Sequence, residues 1–432
     1  MTIRALLSSS PLIMLAACSG GGGNADDQIG PNPKLPAINQ YLMPPMHVAS
    51  VEPWANGATP TVAAGLRITA FASDFHNVRS VYTLPNGDVL AVEAKAPEEP
   101  VARPKDILVG FIQGFGHSKV RGESRIILLR DADGDGKPEV RTVLIDHLNA
   151  PFGVALVGGD LYVANTDAIL RYPYVPGQTQ ITAKPTVLTE LPGGPIDHHW
   201  TKSLVASPDG SKLYVGIGSN SNITENGIEA EKDRARIWEV DRSTGAHRDF
   251  ATGLRNPTGL SFEPTSNQLW TVVNERDELG PDLVPDYMTS VRDGSFYGWP
   301  YSYYGQNVDP RVQPQRPDLV ARAIPPDYAL SSHVAPLGMA FSANAAALPP
   351  QFRSGAFVGE HGSWNRGNLN GYKVIYIPFV NGRPAGKPVD VVTGFIKDGK
   401  AQGRPVGVAI DRRGALLIAD DGGNVVWRVT GK

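Results

Sequence analysis

Apolar residues along this chain recur in short runs with a period of two, cut by Pro, Asp, Asn and Gly, and almost never at helical spacing. The stretch "KSLVASPDGSKLYVGIG", starting at Lys202, shows the form: an apolar strand, a Pro-Asp-Gly turn, and a second strand through Leu213-Tyr214-Val215. Five other stretches repeat it. They are "VRSVYTLPNGDVLAVEA" from Val78, "APFGVALVGGDLYVANTDAILRY" from Ala150, "NPTGLSFEPTSNQLWTVVNE" from Asn256, "APLGMAFSANAAALPPQFRSGAFVGEHG" from Ala335 and "RPVGVAIDRRGALLIADDGGNVVWRV" from Arg404. Alternating residues bounded by Asp-Gly or Asn-Gly are hairpin signals. No stretch has the pattern of an amphipathic helix of any length. Six such units, at spacings of roughly 50 to 80 residues, predict an all-β fold, a six-bladed β-propeller over residues 61–432, in which radial repetition protects the sheet edges. A β-sandwich would not need six similar hairpins. The intervening stretches 96–124 and 281–334 are expected as loops on one face, where propeller sites lie.

Composition agrees. Gly 47 and Pro 37 make about a fifth of the 432 residues, well above the ordinary share of roughly 12%, as many tight turns require. A hydrophobic content of 41% supplies a core, and a net charge of -3 offers no basic patch for nucleic acid. Before the repeats, Arg4 precedes an apolar run over residues 5–17, too short to span a bilayer of ~30 Å as a helix. The run ends in Leu15-Ala16-Ala17-Cys18, which resembles a bacterial lipobox; the alternative is an ordinary signal peptide with an incidental cysteine. The resemblance implies removal of residues 1–17 and lipidation of Cys18, the one cysteine of the chain. Ser19 in place of Asp then favours the outer membrane, periplasmic side. Residues 18–60, Gly-, Asn- and Pro-rich, read as a flexible tether, so membrane contact is expected through the lipid alone.

Candidate chemistry clusters in and between the repeats. "GLRNPTGL" (253–260), "NERDELGPDLVPD" (274–286) and "GSFYGWPY" (294–301) occur in that order. Together they resemble the pyrroloquinoline quinone (PQQ)-dependent sugar dehydrogenases, six-bladed quinoproteins that also bind calcium, and among them the L-sorbosone-dehydrogenase-like branch. The resemblance spans about residues 65–432. It implies oxidation of an aldose or sorbosone-type sugar, with electrons passing to a cytochrome or quinone. PQQ carries three carboxylates and an electrophilic carbonyl, so its site needs fixed cations and a Lewis acid, and a sugar hydroxyl needs a base.

Carried over residue by residue, the resemblance makes Arg255 and Asn256 face the cofactor, with Arg255 stabilising charge on the reduced quinone. It assigns the main-chain carbonyls of Gly280 and Pro281 to calcium. Arg366, Lys373 and Arg404 are candidate partners for the cofactor carboxylates, each with a plain alternative as a solvated surface charge. Soluble glucose-oxidising members carry two arginines one residue apart in the last blade, whereas here Arg404 is followed by Pro405-Val406.

The same resemblance places a general base five residues before a blade leucine, which selects His199 ahead of Leu204. His198 sits beside it; neighbours on a strand point to opposite faces, which disfavours a shared metal ion. Ser219 stands where glucose-type members have an acid to orient the base, and Asp197 is a candidate substitute. Separately, "DADGDGKPE" (131–139) carries acids at positions 1, 3, 5 and 9 and glycine at 6, matching the front of an EF-hand-type calcium loop. Asp131, Asp133 and Asp135 are thus candidate ligands of a structural ion, although Thr142 replaces the closing glutamate; a plain hairpin turn is the alternative. Two other functions fit a propeller of this kind: a calcium-dependent lactonase or esterase, and a non-catalytic envelope scaffold.

Overall fold

The computed structural model describes residues 25–40, 46–98 and 123–432; the expected signal peptide, Cys18 and most of the 96–124 stretch lie outside them. Among the described residues, six sheets of four or more strands, each built on four antiparallel strands, are arranged as a β-propeller. Blade one comprises Val78–Thr83, Val89–Glu93, Arg125–Arg130 and Val140–Ile145; blade two, Gly153–Val157, Asp160–Ala164, Ala168–Pro173 and Thr186–Glu190. Blade three runs through Lys202–Ala206, Lys212–Ile217, Arg236–Asp241 and His247–Thr252, and blade four through Pro257–Phe262, Leu269–Val273, Pro285–Ser290 and Tyr328–Ser332. Blade five has Pro336–Phe341, Gly355–Glu360, Lys373–Val380 and Val389–Thr393. Blade six combines Pro405–Ile410, Leu416–Asp420 and Val425–Gly431 with Leu66–Ala72 as its outermost strand. Each of the six repeats read from the sequence opens at or within a few residues of an innermost strand.

The near-continuous apolar strands have a direct explanation. In blade two, Leu161 and Val163 pack towards blade one, while Tyr162 and Ala164 between them pack towards blade three. The period of two therefore divides side chains between two buried interfaces rather than between core and water. One apolar cluster fills each of the six blade–blade contacts. Towards the axis the wedges taper until side chains no longer fit. A Cβ on Gly153 would lie 2.4 Å from the Leu204 nitrogen, and one on Gly338 would lie 2.3 Å from the Val406 carbonyl oxygen. The six inner strands enclose an axial channel of about 430 Å³.

Two expectations change. Blade four takes its third and fourth strands from within the 281–334 stretch, so the true excursion is residues 291–327. It leaves from the end that a third strand reaches, then climbs beside blade three, where Ser295–Phe296 pairs parallel to His247–Thr252. The short, weakly alternating strands on either side had hidden this. The expected tether also departs from a free linker. Gln28 is buried and accepts bonds from the Ser332 N–H and hydroxyl. Ile29–Gly30 pairs with blade four and Thr61–Val62 with blade five. Trp54 and Val51 pack against the blade five–six core, which is what holds this Pro-rich segment down.

Candidate active site

Every inner strand starts at the same end of the ring, so the residues just before a first strand and just after a second strand converge there. They enclose a cavity of about 290 Å³. His199 reaches it from the turn before blade three, Asn256 and Arg404 from the residues directly before the first strands of blades four and six, and Arg79 from the first strand of blade one. His361 and Asp421 enter directly after the second strands of blades five and six.

His199 Nδ1 lies 2.8 Å from the Ser219 carbonyl oxygen and 3.0 Å from its Oγ. A carbonyl only accepts, so Nδ1 carries the proton and Nε2 keeps its lone pair. Burial, then the neighbouring Arg255 and His198, hold the His199 pKa well below the usual histidine value, so the ring is neutral around pH 7. The orienting partner is thus Ser219. Asp197 is committed elsewhere, to Arg234 at 2.7 Å, to Lys202 and to Thr166. His198 and His199 lie in a turn rather than on a strand, with rings edge to face at 4.7 Å, so the opposite-face argument does not describe them.

Asn256 presents a buried Oδ1 with no bonding partner. The space beside it exists because residue 218 is glycine: a Cβ there would lie 2.4 Å from that oxygen and 2.4 Å from His199 Cβ. Arg255 lies below the cavity wall. Its guanidinium donates to the carbonyls of Asn222, Asn274 and Glu275 and approaches Asp277 at 3.4 Å. Its influence on the cavity is its charge. Burial would raise the Asp277 pKa, but the His333 bond and Arg255 hold it down at about 2.

The opposite wall is a network that sequence reasoning missed. Asp421 bonds Arg79 and receives His361 Nε2 at 3.0 Å from each carboxylate oxygen. Arg404 donates to the carbonyls of His361 and Gly362. Arg79 lies over the Trp200 ring at 5.5 Å. Burial, then Arg404, lower the His361 pKa despite Asp421; Asp421, in spite of its burial, is held well below the carboxylate range by His361 and Arg79.

The remaining expected residues are not brought to this cavity. Arg366 pairs with Asp282 at 2.6 Å and with the Ser332 carbonyl. Lys373 pairs with Asp390 at 2.7 Å because it opens a third strand, outboard of the two that reach the axis. The Gly280 carbonyl lies 3.1 Å from His333 Nε2, which must donate to it, and Gly280 and Pro281 are not in the cavity wall. The other edge of that imidazole faces Asp277 and Asn365. At the other end of the ring, carboxylate oxygens of Asp131, Asp133, Asp135 and Glu139 lie within 4.8 Å of one another. They fold around the N–H groups of Ala132, Gly134, Asp135, Gly136 and Lys137.

A six-bladed propeller whose axial cavity gathers neutral imidazole, guanidinium and an unpaired amide oxygen defines a class of small-polar-ligand sites on one ring face. The chain belongs to the TrAA12-like family, which it matches over residues 120–288 and 313–432. An uncharacterised protein of Borreliella burgdorferi is 29% identical over 293 residues, 65% of this chain and 76% of that one. The aldose sugar dehydrogenase of Escherichia coli is 26% identical over 195 residues, 42% of this chain and half the length of the relative. Among solved structures, the holo PQQ domain of a Coprinopsis cinerea pyranose dehydrogenase superposes with a TM-score of 0.69 at 20% identity, covering 86% of this chain and 97% of that one. The calcium structure of a Trichoderma reesei AA12 enzyme gives 0.70 at 18% identity, covering 92% and 100%. At these identities the structural likeness establishes the fold.

Proposed function

We propose that this protein is a PQQ-dependent sugar dehydrogenase, with calcium as a second cofactor, that oxidises an aldose or sorbosone-type sugar at the anomeric or carbonyl carbon. One observation carries the reading: a neutral His199 with Nε2 unprotonated shares a cavity with the unpaired Asn256 Oδ1 and the guanidinium groups of Arg79 and Arg404. An anionic, planar cofactor with a donor group suits such a wall. When bound, PQQ supplies the acceptor for hydride from the sugar carbon. His199 Nε2 takes the hydroxyl proton. Asn256 Oδ1 accepts a hydrogen bond from cofactor or sugar. Arg79 and Arg404 bring positive charge to the carboxylates, and burial together with the Arg255 charge behind the wall keeps His199 unprotonated. Calcium enters through the relatives, and no step is assigned to it. The electrons then pass to a cytochrome or quinone. Cys18, lipidated, would hold the protein at the periplasmic side of a bacterial outer membrane; fatty-acid labelling lost in Cys18→Ser tests this.

A second assignment of the base has one observation in its favour: His361 is gripped by the Asp421 carboxylate, the arrangement that orients many catalytic imidazoles. Dye reduction by the purified protein, with and without PQQ and calcium, on aldoses and sorbosone, tests the function. Turnover that needs added PQQ supports it; silence across the panel, with no spectral change on PQQ titration, overturns it. Turnover surviving His199→Ala but not His361→Ala moves the base to His361.

A further inference from the structure

Ring closure uses residues 66–72, and no strand upstream of them takes part in it. Residues 46–54 nevertheless lie across its cavity face. The His47 N–H donates to the Trp364 carbonyl at 3.0 Å, and its Nδ1 lies 3.1 Å from the Gly367 carbonyl. Ser50 and Glu52 bracket Ala401 through two main-chain bonds of 2.9 and 2.8 Å. Ala49 between these anchors is buried. The segment thus ties the loop after the second strand of blade five to the hairpin that leads into blade six. These are the two loops that bring His361, Trp364 and Arg404 to the cavity.

Two side chains of this strap point to a role. Val48 is part of the cavity wall itself, beside His361, Trp364 and Arg404. Trp54 donates from Nε1 to Asp420 Oδ2 at 2.8 Å. The same carboxylate receives Trp427 Nε1 at 3.0 Å and the main-chain N–H groups of Arg404 at 2.7 Å and Gly423 at 2.8 Å. The Trp54 ring stands edge-on to Trp427 and Phe395, and it fills the space over Gly423, where a Cβ would lie 2.5 Å from its Cδ1. The carboxylate that fixes the backbone of Arg404 is therefore itself held from the strap, and Asp421, which grips Arg79 and His361, is the next residue along.

We infer that residues 46–54 are a wall of the substrate site, in which Val48 determines specificity and Trp54 positions Arg404 and Asp421 through Asp420. This rests on the reading of the cavity as a sugar-oxidising site. A cavity of about 290 Å³ is at the small end for ligand pockets, so the bulk of one wall residue decides which sugars enter. A methylene more or less in such a wall changes discrimination by about tenfold or more. Trp54→Phe keeps an aromatic ring but deletes the indole N–H donor together with part of the ring's bulk.

The test uses the full chain loaded with PQQ and calcium: wild type, Val48→Ala, Val48→Phe and Trp54→Phe, assayed on an aldopentose, an aldohexose and a disaccharide. Alongside, Val48→Cys in a chain carrying Cys18→Ser is labelled with a methanethiosulfonate, with and without PQQ and sugar. The expected result has three parts. The Val48 variants change the ratio of kcat/KM between small and large sugars by about tenfold at unchanged melting temperature. PQQ or sugar slows labelling at position 48. Trp54→Phe weakens PQQ affinity by about tenfold. Selectivity as in wild type, labelling indifferent to ligand, and a Trp54→Phe effect confined to melting temperature would overturn the inference. A wild-type protein that neither binds PQQ nor turns over sugar instead removes the functional reading, and the inference with it.

Discussion

His199 turns Nδ1 to the main-chain carbonyl of Ser219, 2.8 Å away, and so leaves Nε2 as the basic nitrogen. A backbone oxygen does here what a carboxylate does in many catalytic histidine pairs. It fixes tautomer and orientation without adding negative charge, and the small upward pull of that bond does not overcome the burial and the neighbouring Arg255 charge that keep the ring neutral.

Because the carbonyl and not the hydroxyl holds the ring, Ser219→Ala is expected to lose less than about tenfold in kcat, the range of one neutral hydrogen bond. His199→Ala is expected to remove turnover on bound cofactor. Steady-state kinetics on both variants checks this; equal losses would show that Oγ, at 3.0 Å, is the working contact.

Gly218→Ala would push a methyl group to 2.4 Å from both Asn256 Oδ1 and His199 Cβ. Overpacking of this kind costs about 1–3 kcal/mol. The displaced groups belong to the cavity, so PQQ affinity should fall about tenfold or more while the far-ultraviolet spectrum stays that of wild type. Fluorescence titration with PQQ measures it.

Glu360 is buried with Oε2 unpaired, and burial raises its pKa to about 8. A carboxyl whose folded pKa lies above its unfolded value near 4.5 costs nothing at low pH, and the folded state loses stability relative to the unfolded chain as pH climbs from there to about 8. Glu360→Gln carries no such charge. Its melting temperature should therefore pull ahead of wild type progressively between pH 5 and 8, with the gap level above; a gap independent of pH would contradict the assignment.

The acidic loop at the far end of the ring gives a calcium prediction. Calcium should raise the melting temperature of the wild type by several degrees more than that of Asp131→Asn, with turnover the same in both. Asp131 accepts the N–H groups of Gly134 and Gly136. If the variant also melts lower in chelator, the carboxylate is serving the turn itself.

The propeller was legible because the second strand of each blade is buried on both faces and each hairpin announces its turn, as Leu213, Tyr214 and Val215 do after Pro208-Asp209-Gly210. Asn256, named through the family resemblance, and Arg404, named as a cation for the cofactor carboxylates, stand directly before inner strands and so reach the cavity. Arg79, His361 and Asp421 obey the same positional rule, one step into a first strand or just past a second, yet as single polar residues they look like ordinary surface charges. Arg366 and Lys373 mislead for the opposite reason: charge alone carries no information about radius, and Lys373 belongs to an outer strand. Which way the Gly280 carbonyl turns depends on local backbone torsions and on His333, more than fifty residues away. The docking of Trp54 on Asp420 bridges 366 positions, and no local pattern encodes it.

Blade six is sealed by pairing Leu66–Ala72 with Val425–Gly431, the first blade strand to be made and the last. A growing chain thus carries Phe71 and Phe75 without the Leu417, Ala419 and Val426 surfaces they pack on, and no closed ring exists until residues 425–431 have been made. Contacts of such sequence separation form late. A prematurely terminated product is therefore not a smaller enzyme but an open arc with two bare apolar flanks, prone to self-association. The last seven strand residues decide whether all that was made before them becomes a protein.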